Sequence, residues 1–239
     1  MLDDAPEDEA KEFVHGREVL SLTPTAHDPG RLMMRVGRPG KKGRVQATMN
    51  IARIADLGLY VGQVWDEPLA QSVKDEAMYD KAMRQAMYAI GRRSLSRKEL
   101  DRKLVQKEHS PALRERVLDR LTELGLLNDK AYAHALVRQT VRGKPAGPRL
   151  LKQKLAQKGI PQKIADKAVN DEQPDQATQR KQAKELAEKR LASMGRLDAM
   201  AKKRRIYGLL VRRGFEMDVV QDVMDQLRPM LRDEHAFDD

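Results

Sequence analysis

One short pattern occurs three times in this chain without a gap, and it restricts the fold to a row of similar helical units. Leu104, Leu155 and Leu210 mark its centre, 51 and 55 residues apart. Four residues earlier stand Leu100, Leu151 and Ile206, and three residues later Lys107, Lys158 and Arg213. Nine later come Leu113, Ile164 and Val219, and thirteen later Val117, Ala168 and Val223. In the first copy, Ser96 followed by Glu99 is a capping box that opens a helix. His109-Ser110-Pro111 interrupts that helix, and Pro111 suits the first turn of a second one. The spacing predicts that this second helix buries Leu113, Val117, Leu118, Leu121 and Leu124, with Gly125 as a left-handed stop. Apolar positions, basic positions and turns coincide in all three copies, as expected of stacked supersecondary units that cover one another's apolar faces.

Each hairpin is preceded by a further helical stretch. Tyr79, Met83, Ala86, Met87 and Ile90 lie at helical spacing before the first copy. Tyr132, Ala135, Leu136 and Gln139, introduced by Asn128 as N-cap, lie before the second. Ala183, Leu186, Ala187, Arg190 and Leu191 lie before the third. Each unit is therefore read as three helices, with the methionines as core filling.

The front of the chain follows another rule. Val19–Thr23, Leu32–Val36 and Val45–Met49 are short β-type runs separated by His27-Asp28-Pro29-Gly30 and by Gly37-Arg38-Pro39-Gly40-Lys41-Lys42-Gly43. They predict a three-stranded meander. The second turn sets glycines beside lysines, which can cradle phosphate, but it lacks the four-residue gap and the Ser/Thr after lysine of a nucleotide-binding P-loop, and is read as a hairpin turn able to brush nucleic acid. Ile51–Gly58 is expected to form a short helix and Leu59–Trp65 a return segment. Trp65 is read as a core plug, and Asp66-Glu67-Pro68 as the entry to a connecting helix.

The fold class expected is mainly α: tandem three-helix repeats in an elongated array, preceded by a small β-rich segment. The expected divisions are an acidic disordered tail over 1–16, a β-rich domain over 17–76, repeats over 77–128, 129–171 and 172–231, and an acidic tail over 232–239. Composition agrees. Aromatic residues are only 4% and charged residues 34%, the profile of thin helical cores with much solvated surface. Residues 1–75 hold 10 Lys+Arg against 12 Asp+Glu, so the whole excess of +10 resides in the helical part. A basic array between acidic tails points to a polyanionic partner or an acidic protein surface. The acidic tail at the front is expected to compete for that array.

Catalytic chemistry is not suggested. The five histidines are scattered, with no second histidine at ligand spacing, and there is no cysteine. No nucleophile elbow and no dinucleotide glycine fingerprint occurs. No enzyme activity, no cofactor and no metal are expected. The absence of cysteine, of a signal-like start and of a membrane-length apolar run predicts a cytoplasmic protein without membrane contact, and a monomer is expected.

Three strings carry a family resemblance. They are Tyr88-Ala89-Ile90-Gly91-Arg92-Arg93-Ser94, then Ser96-x-x-Glu99-Leu100-x-x-Lys103-Leu104-x-x-Lys107, then Leu121-x-x-Leu124-Gly125-Leu126-Leu127-Asn128-Asp129-x-x-Tyr132-Ala133. With Gly147-Pro148-Arg149-x-Leu151-x-x-x-Leu155-x-x-Lys158-Gly159-Ile160, they resemble the RecX family, strongly over about 77–170 and more weakly through the third unit. The front β segment is similar to one carried by only some members.

The resemblance implies a modular helical protein that regulates the recombinase RecA without catalysing anything. Such proteins bind the RecA nucleoprotein filament along its groove, oppose its growth, and restrain ATP hydrolysis, strand exchange and co-protease activity. Some members also bind DNA, single- or double-stranded, and a weaker non-specific DNA contact is expected here. The candidate contacts are the basic clusters. In the first unit these are Arg92, Arg93, Lys98, Arg102, Lys103 and Lys107. In the second they are Arg142, Lys144, Arg149, Lys152, Lys154 and Lys158, and in the third Lys202, Lys203, Arg204, Arg205, Arg212 and Arg213. The alternative is a stand-alone DNA-binding helical protein of helix-turn-helix type. Glu115, Asp119 and Glu123 on the helix that would enter the groove count against that reading, as does the scarcity of Asn and Gln there. A third alternative, a structural scaffold, predicts no salt-dependent affinity for filament or DNA.

Overall fold

A computed structural model describes residues 16–195 and 197–231; apart from Gly16, the acidic tails expected at the two ends lie outside the described residues. The chain forms two compact units, one of residues up to Arg92 with Lys103–Asp119, the other of Arg93–Arg102 with the chain from Arg120 onward.

The first unit begins with the meander: β1 (Glu18–Pro24), β2 (Arg31–Gly37) and β3 (Arg44–Asn50), antiparallel in that order. Bulges between Val19 and Ser21 and beside Arg35 shift the register, yet Val19, Met34, Val36, Ala47 and Met49 all turn to one buried side. Asn50 caps α1 (Ile51–Asp56), its side chain accepting from the Ala52 N–H at 2.8 Å. The return segment pairs Val64 with Glu18 and inserts Trp65, 2% exposed, into the core beneath the sheet. Asp66 accepts from the Leu69 N–H at 2.9 Å where the long α2 (Glu67–Arg92) begins. A cluster in this unit has no apolar signature. Glu76 and Asp80 are buried on α2, Asp80 held by Arg31 at 2.6 Å and Glu76 by Arg53 at 3.2 Å and Arg116 at 3.0 Å. The Tyr79 ring lies under both Arg53 and Arg116, 5.2 and 4.0 Å from its centroid.

The helices follow the threefold pattern: α3 (Arg97–Val105), α4 (Pro111–Glu123), α5 (Asp129–Gly143), α6 (Pro148–Gln157), α7 (Gln162–Glu172), α8 (Gln176–Ala192), α9 (Ala199–Arg212) and α10 (Met217–Gln226), then a 3-10 turn over Arg228–Leu231. Leu104, Leu155 and Leu210 are buried, as are Leu100, Leu151 and Ile206, and Val117, Ala168 and Val223. Asn128, Asp175 and Asp198 cap α5, α8 and α9 with side-chain bonds. The leading helices bury narrow stripes of small residues: Ala133 and Val137 in α5, and Ala183 and Ala187 in α8. Some expected core positions face solvent. Leu124 is half exposed, Met87 is exposed, and Ala135, Gln139 and Arg190 point outward. An alanine stripe two residues wide lets the helix approach closely enough that its flanks stay in water.

Candidate partner-binding surface

The basic residues divide by what their charged ends touch, and the division begins at the joints between repeats. Ser96 closes the expected capping box: its Oγ accepts from the Glu99 N–H at 3.1 Å, while Glu99 accepts from the Ser96 N–H at 3.3 Å. The same hydroxyl donates to the Lys158 carbonyl at 2.5 Å, so the start of α3 rests on the end of α6. One repeat later, Gly147 at the start of α6 donates its N–H to the Arg213 carbonyl at 2.9 Å, and Arg149 donates to the Gly214 carbonyl at 3.1 Å. Ser96 and Gly147 occupy one position of the repeat, Lys158 and Arg213 another. The joint is thus made twice by one rule: a middle helix's first turn sits on the C-terminal turn of the next middle helix.

Glycine makes the second contact close. A Cβ at Gly147 would lie 2.3 Å from the Gly214 carbonyl oxygen, and one at Gly214 would lie 2.1 Å from the Leu150 nitrogen. Gly214 also holds φ +76, and Gly159 at the first joint holds φ +77 with the Lys98 stem lying across it.

Three of the candidate cations are bound into these joints. Lys158 Nζ meets Glu99 at 2.8 Å, and Arg93 meets it at 3.4 Å. Burial raises the Glu99 pKa, but hydrogen bonds from Lys158, Tyr132, the Ser96 N–H and Arg93 outweigh this and bring it down to about 2. Tyr132 donates its hydroxyl to Glu99 at 2.9 Å; burial, then that bond, pushes its own pKa up to about 12. Arg213 turns its guanidinium onto the Pro145 carbonyl, with Nε at 2.7 Å, and burial lowers its pKa. Two more candidates have local partners. Lys152 pairs with Asp166 at 2.8 Å, and Arg92 folds onto Tyr88 with its charge 5.8 Å from the ring centroid.

The other candidates form no side-chain ion pair or hydrogen bond among the described residues. These are Lys98, Arg102, Lys103 and Lys107; Arg142, Lys144, Arg149 and Lys154; and Lys202, Lys203, Arg204, Arg205 and Arg212. In the third repeat the structure gathers two of them with cations that the repeat pattern does not single out. Arg205 and Arg212 of α9 and Lys189 and Arg190 of α8 line one open groove floored by Leu186 and Leu209. Arg190 belongs to this groove because it faces outward, not into the core, although its i+3 spacing from Ala187 predicts the core face. The signal available is its own charge, since an arginine almost never enters a core unless it is paired. Among the described residues no group of three or more His, Asp and Glu is placed to hold a metal, and no helix is long and apolar enough to cross a membrane.

Three family models match successive stretches: the first three-helix domain of RecX over residues 82–121, the second over 128–169 and the third over 177–224. The regulatory protein RecX of Chlorobium phaeobacteroides (strain BS1) is 31% identical over 153 residues, 64% of this chain and 95% of the relative. That of Enterococcus faecalis (strain ATCC 700802 / V583) is 30% identical over 142 residues, 59% of this chain and 52% of the relative, so only about half of that longer protein is matched. A crystal structure of regulatory protein RecX superposes with TM-score 0.75 at 20% identity, covering 87% of this chain and 99% of the other, a likeness of fold. RecX from Lactobacillus salivarius superposes with TM-score 0.56 at 26% identity, over 64% of this chain and 97% of the other. Three consecutive domains in the family's own order, on helices that repeat one joint, lead to one assignment: the chain belongs to the RecX family of regulatory proteins.

Proposed function

We propose that this chain regulates the RecA recombinase by binding its nucleoprotein filament through the exposed cations of its helical repeats. Binding opposes filament growth, ATP hydrolysis and strand exchange, and the chain itself performs no catalytic step. The observation that carries the reading is the groove of the third repeat, where Lys189, Arg190, Arg205 and Arg212 converge with no acidic side chain among the described residues of its lining. Like charges held together cost free energy that an acidic protein face or DNA phosphates would recover. Repetition supports it too, because several weak contacts on one chain add through effective concentration. Non-specific DNA binding through the same cations is a weaker, coexisting activity.

The test is charge reversal. Arg205→Glu with Arg212→Glu should abolish filament inhibition at moderate salt while leaving helical circular dichroism and melting unchanged. Inhibition that persists in this variant removes the groove from the mechanism.

A further inference from the structure

Between Arg31 and Asn50, the β2–β3 hairpin, the chain has six basic residues and no acidic one. The structure spends two of them internally. Arg31 is buried, held by Asp80 at 2.6 Å and by the Thr48 carbonyl at 2.7 Å. Arg35 reaches the Gly43 carbonyl at 3.1 Å and ties the strand to its own loop. Arg38, Lys41, Lys42 and Arg44 remain exposed, with no side-chain partner among the described residues.

The loop that carries them is preformed. The Lys41 N–H donates to the Arg38 carbonyl at 3.1 Å, with Pro39 and then Gly40 at φ +72 between them, a type II turn. At its base a Cβ on Gly37 would lie 2.9 Å from the Gly43 Cα, and one on Gly43 would lie 3.0 Å from the Val36 carbonyl oxygen. The backbones therefore meet at contact distance, and little ordering entropy is lost when a ligand binds.

We propose that this hairpin tip is a second binding surface, for the phosphate backbone of duplex DNA. Four cations in one short ribbon repel one another, and a polyanion relieves that repulsion. A two-stranded ribbon has the width to enter the major groove of B-form DNA, with phosphates on either side. The hairpin holds no aromatic residue, so it offers no platform for the stacked bases of a single strand. Its tip carries no Asn or Gln to read adenine edges, and its four cations are assigned to phosphates, so the contact positions the duplex rather than reading its sequence. An acidic protein face would be expected to meet a large apolar or aromatic anchor as well, and the hairpin tip offers only Pro39 and the small, half-exposed Val45. The surface lies outside the matched residues 82–224 and does not depend on the filament reading.

The test uses the full-length protein, without recombinase, and a fluorescent 30-base-pair duplex followed by anisotropy across a salt series. Arg38→Ala, Lys41→Ala, Lys42→Ala and Arg44→Ala combined should weaken binding at low salt at least about tenfold. They should also lower the slope of log affinity against log salt by about 3–4, near 0.9 for each phosphate no longer neutralised. Arg38→Lys with Arg44→Lys should keep the wild-type slope, because charge and not shape is required. If the fourfold variant melts below wild type, Lys41→Gln and Lys42→Gln singly should each lower the slope by about 0.9. An unchanged slope overturns the proposal. So does a loss seen only with a single-stranded oligonucleotide, or only in binding to an acidic protein.

Discussion

Lys107, Lys158 and Arg213 hold one position of the repeat, and the turns that follow them show how one pattern serves two ends. In the second and third repeats the next residues are Gly159-Ile160 and Gly214-Phe215; in the first they are Glu108-His109. The backbone is the same in all three. Glu108, Gly159 and Gly214 take φ +61, +77 and +76, and the N–H groups of His109, Ile160 and Phe215 return to Leu104, Leu155 and Leu210. The surroundings differ. The start of a neighbouring middle helix lies on Gly159 and on Gly214, whereas Glu108 is exposed and Lys107 has no side-chain partner among the described residues. Glycine at this position thus marks a joint, and a side chain marks an open turn. The cation beside a joint holds the structure together; the cation beside the open turn forms no ion pair or side-chain hydrogen bond among the described residues.

The comparison breaks most visibly at Gly214. Gly214→Ala forces a Cβ into the Leu150 backbone and a left-handed φ on alanine, so a loss of about 3–4 kcal/mol is expected in urea unfolding. Glu99→Gln comes next, at about 2–3 kcal/mol, because Lys158, Tyr132 and the Ser96 N–H lose a charged acceptor. The pH dependence has a definite sign. The folded Glu99 pKa is about 2, below its ordinary 4.5, so its contribution is complete above pH 4.5 and is lost as pH falls toward 2. Urea unfolding at pH 6 and pH 3 should show wild type losing more stability than Glu99→Gln over that interval.

The paired cations sharpen the contrast directly. Arg213→Ala should cost about 1.5–3 kcal/mol of stability, since two hydrogen bonds to Pro145 disappear. Lys107→Ala should change stability by less than about 0.5 kcal/mol and instead weaken filament binding. The smallest effect is a gain. Glu108→Gly removes the strain of a left-handed non-glycine residue and should raise stability by about 0.5–1 kcal/mol, read as a higher melting temperature.

The threefold core is legible in the sequence because Leu104, Leu155 and Leu210 and their partners are buried by a short-range rule, helical periodicity, that repeats unchanged. The meander is legible for a similar reason: its turns carry Pro-Gly and Asp-Pro-Gly. Glu76 and Asp80 are not, since a buried carboxylate is made tolerable only by Arg31, Arg53 and Arg116, which come from distant parts of the chain. The alignment of Lys107, Lys158 and Arg213 is visible, but their separate roles depend on which neighbour packs beside each, and periodicity holds no record of that. Gly147 and Gly214 stand plainly in the sequence; that Gly147 is required by the Gly214 backbone, and Gly214 by the Leu150 backbone, emerges only from the folded joint. Arg190 reads as inward-facing because helical spacing cannot tell a broad apolar face from a narrow alanine stripe.

The most direct test is RecA ATP hydrolysis on single-stranded DNA, with this protein titrated well below one molecule per recombinase subunit and naked-DNA binding measured at the same salt. Inhibition at a small fraction of the recombinase concentration, with weak affinity for naked DNA, is the predicted result. Inhibition that appears only when the protein saturates the DNA would contradict it and reduce the basic repeats to simple competitors for the strand.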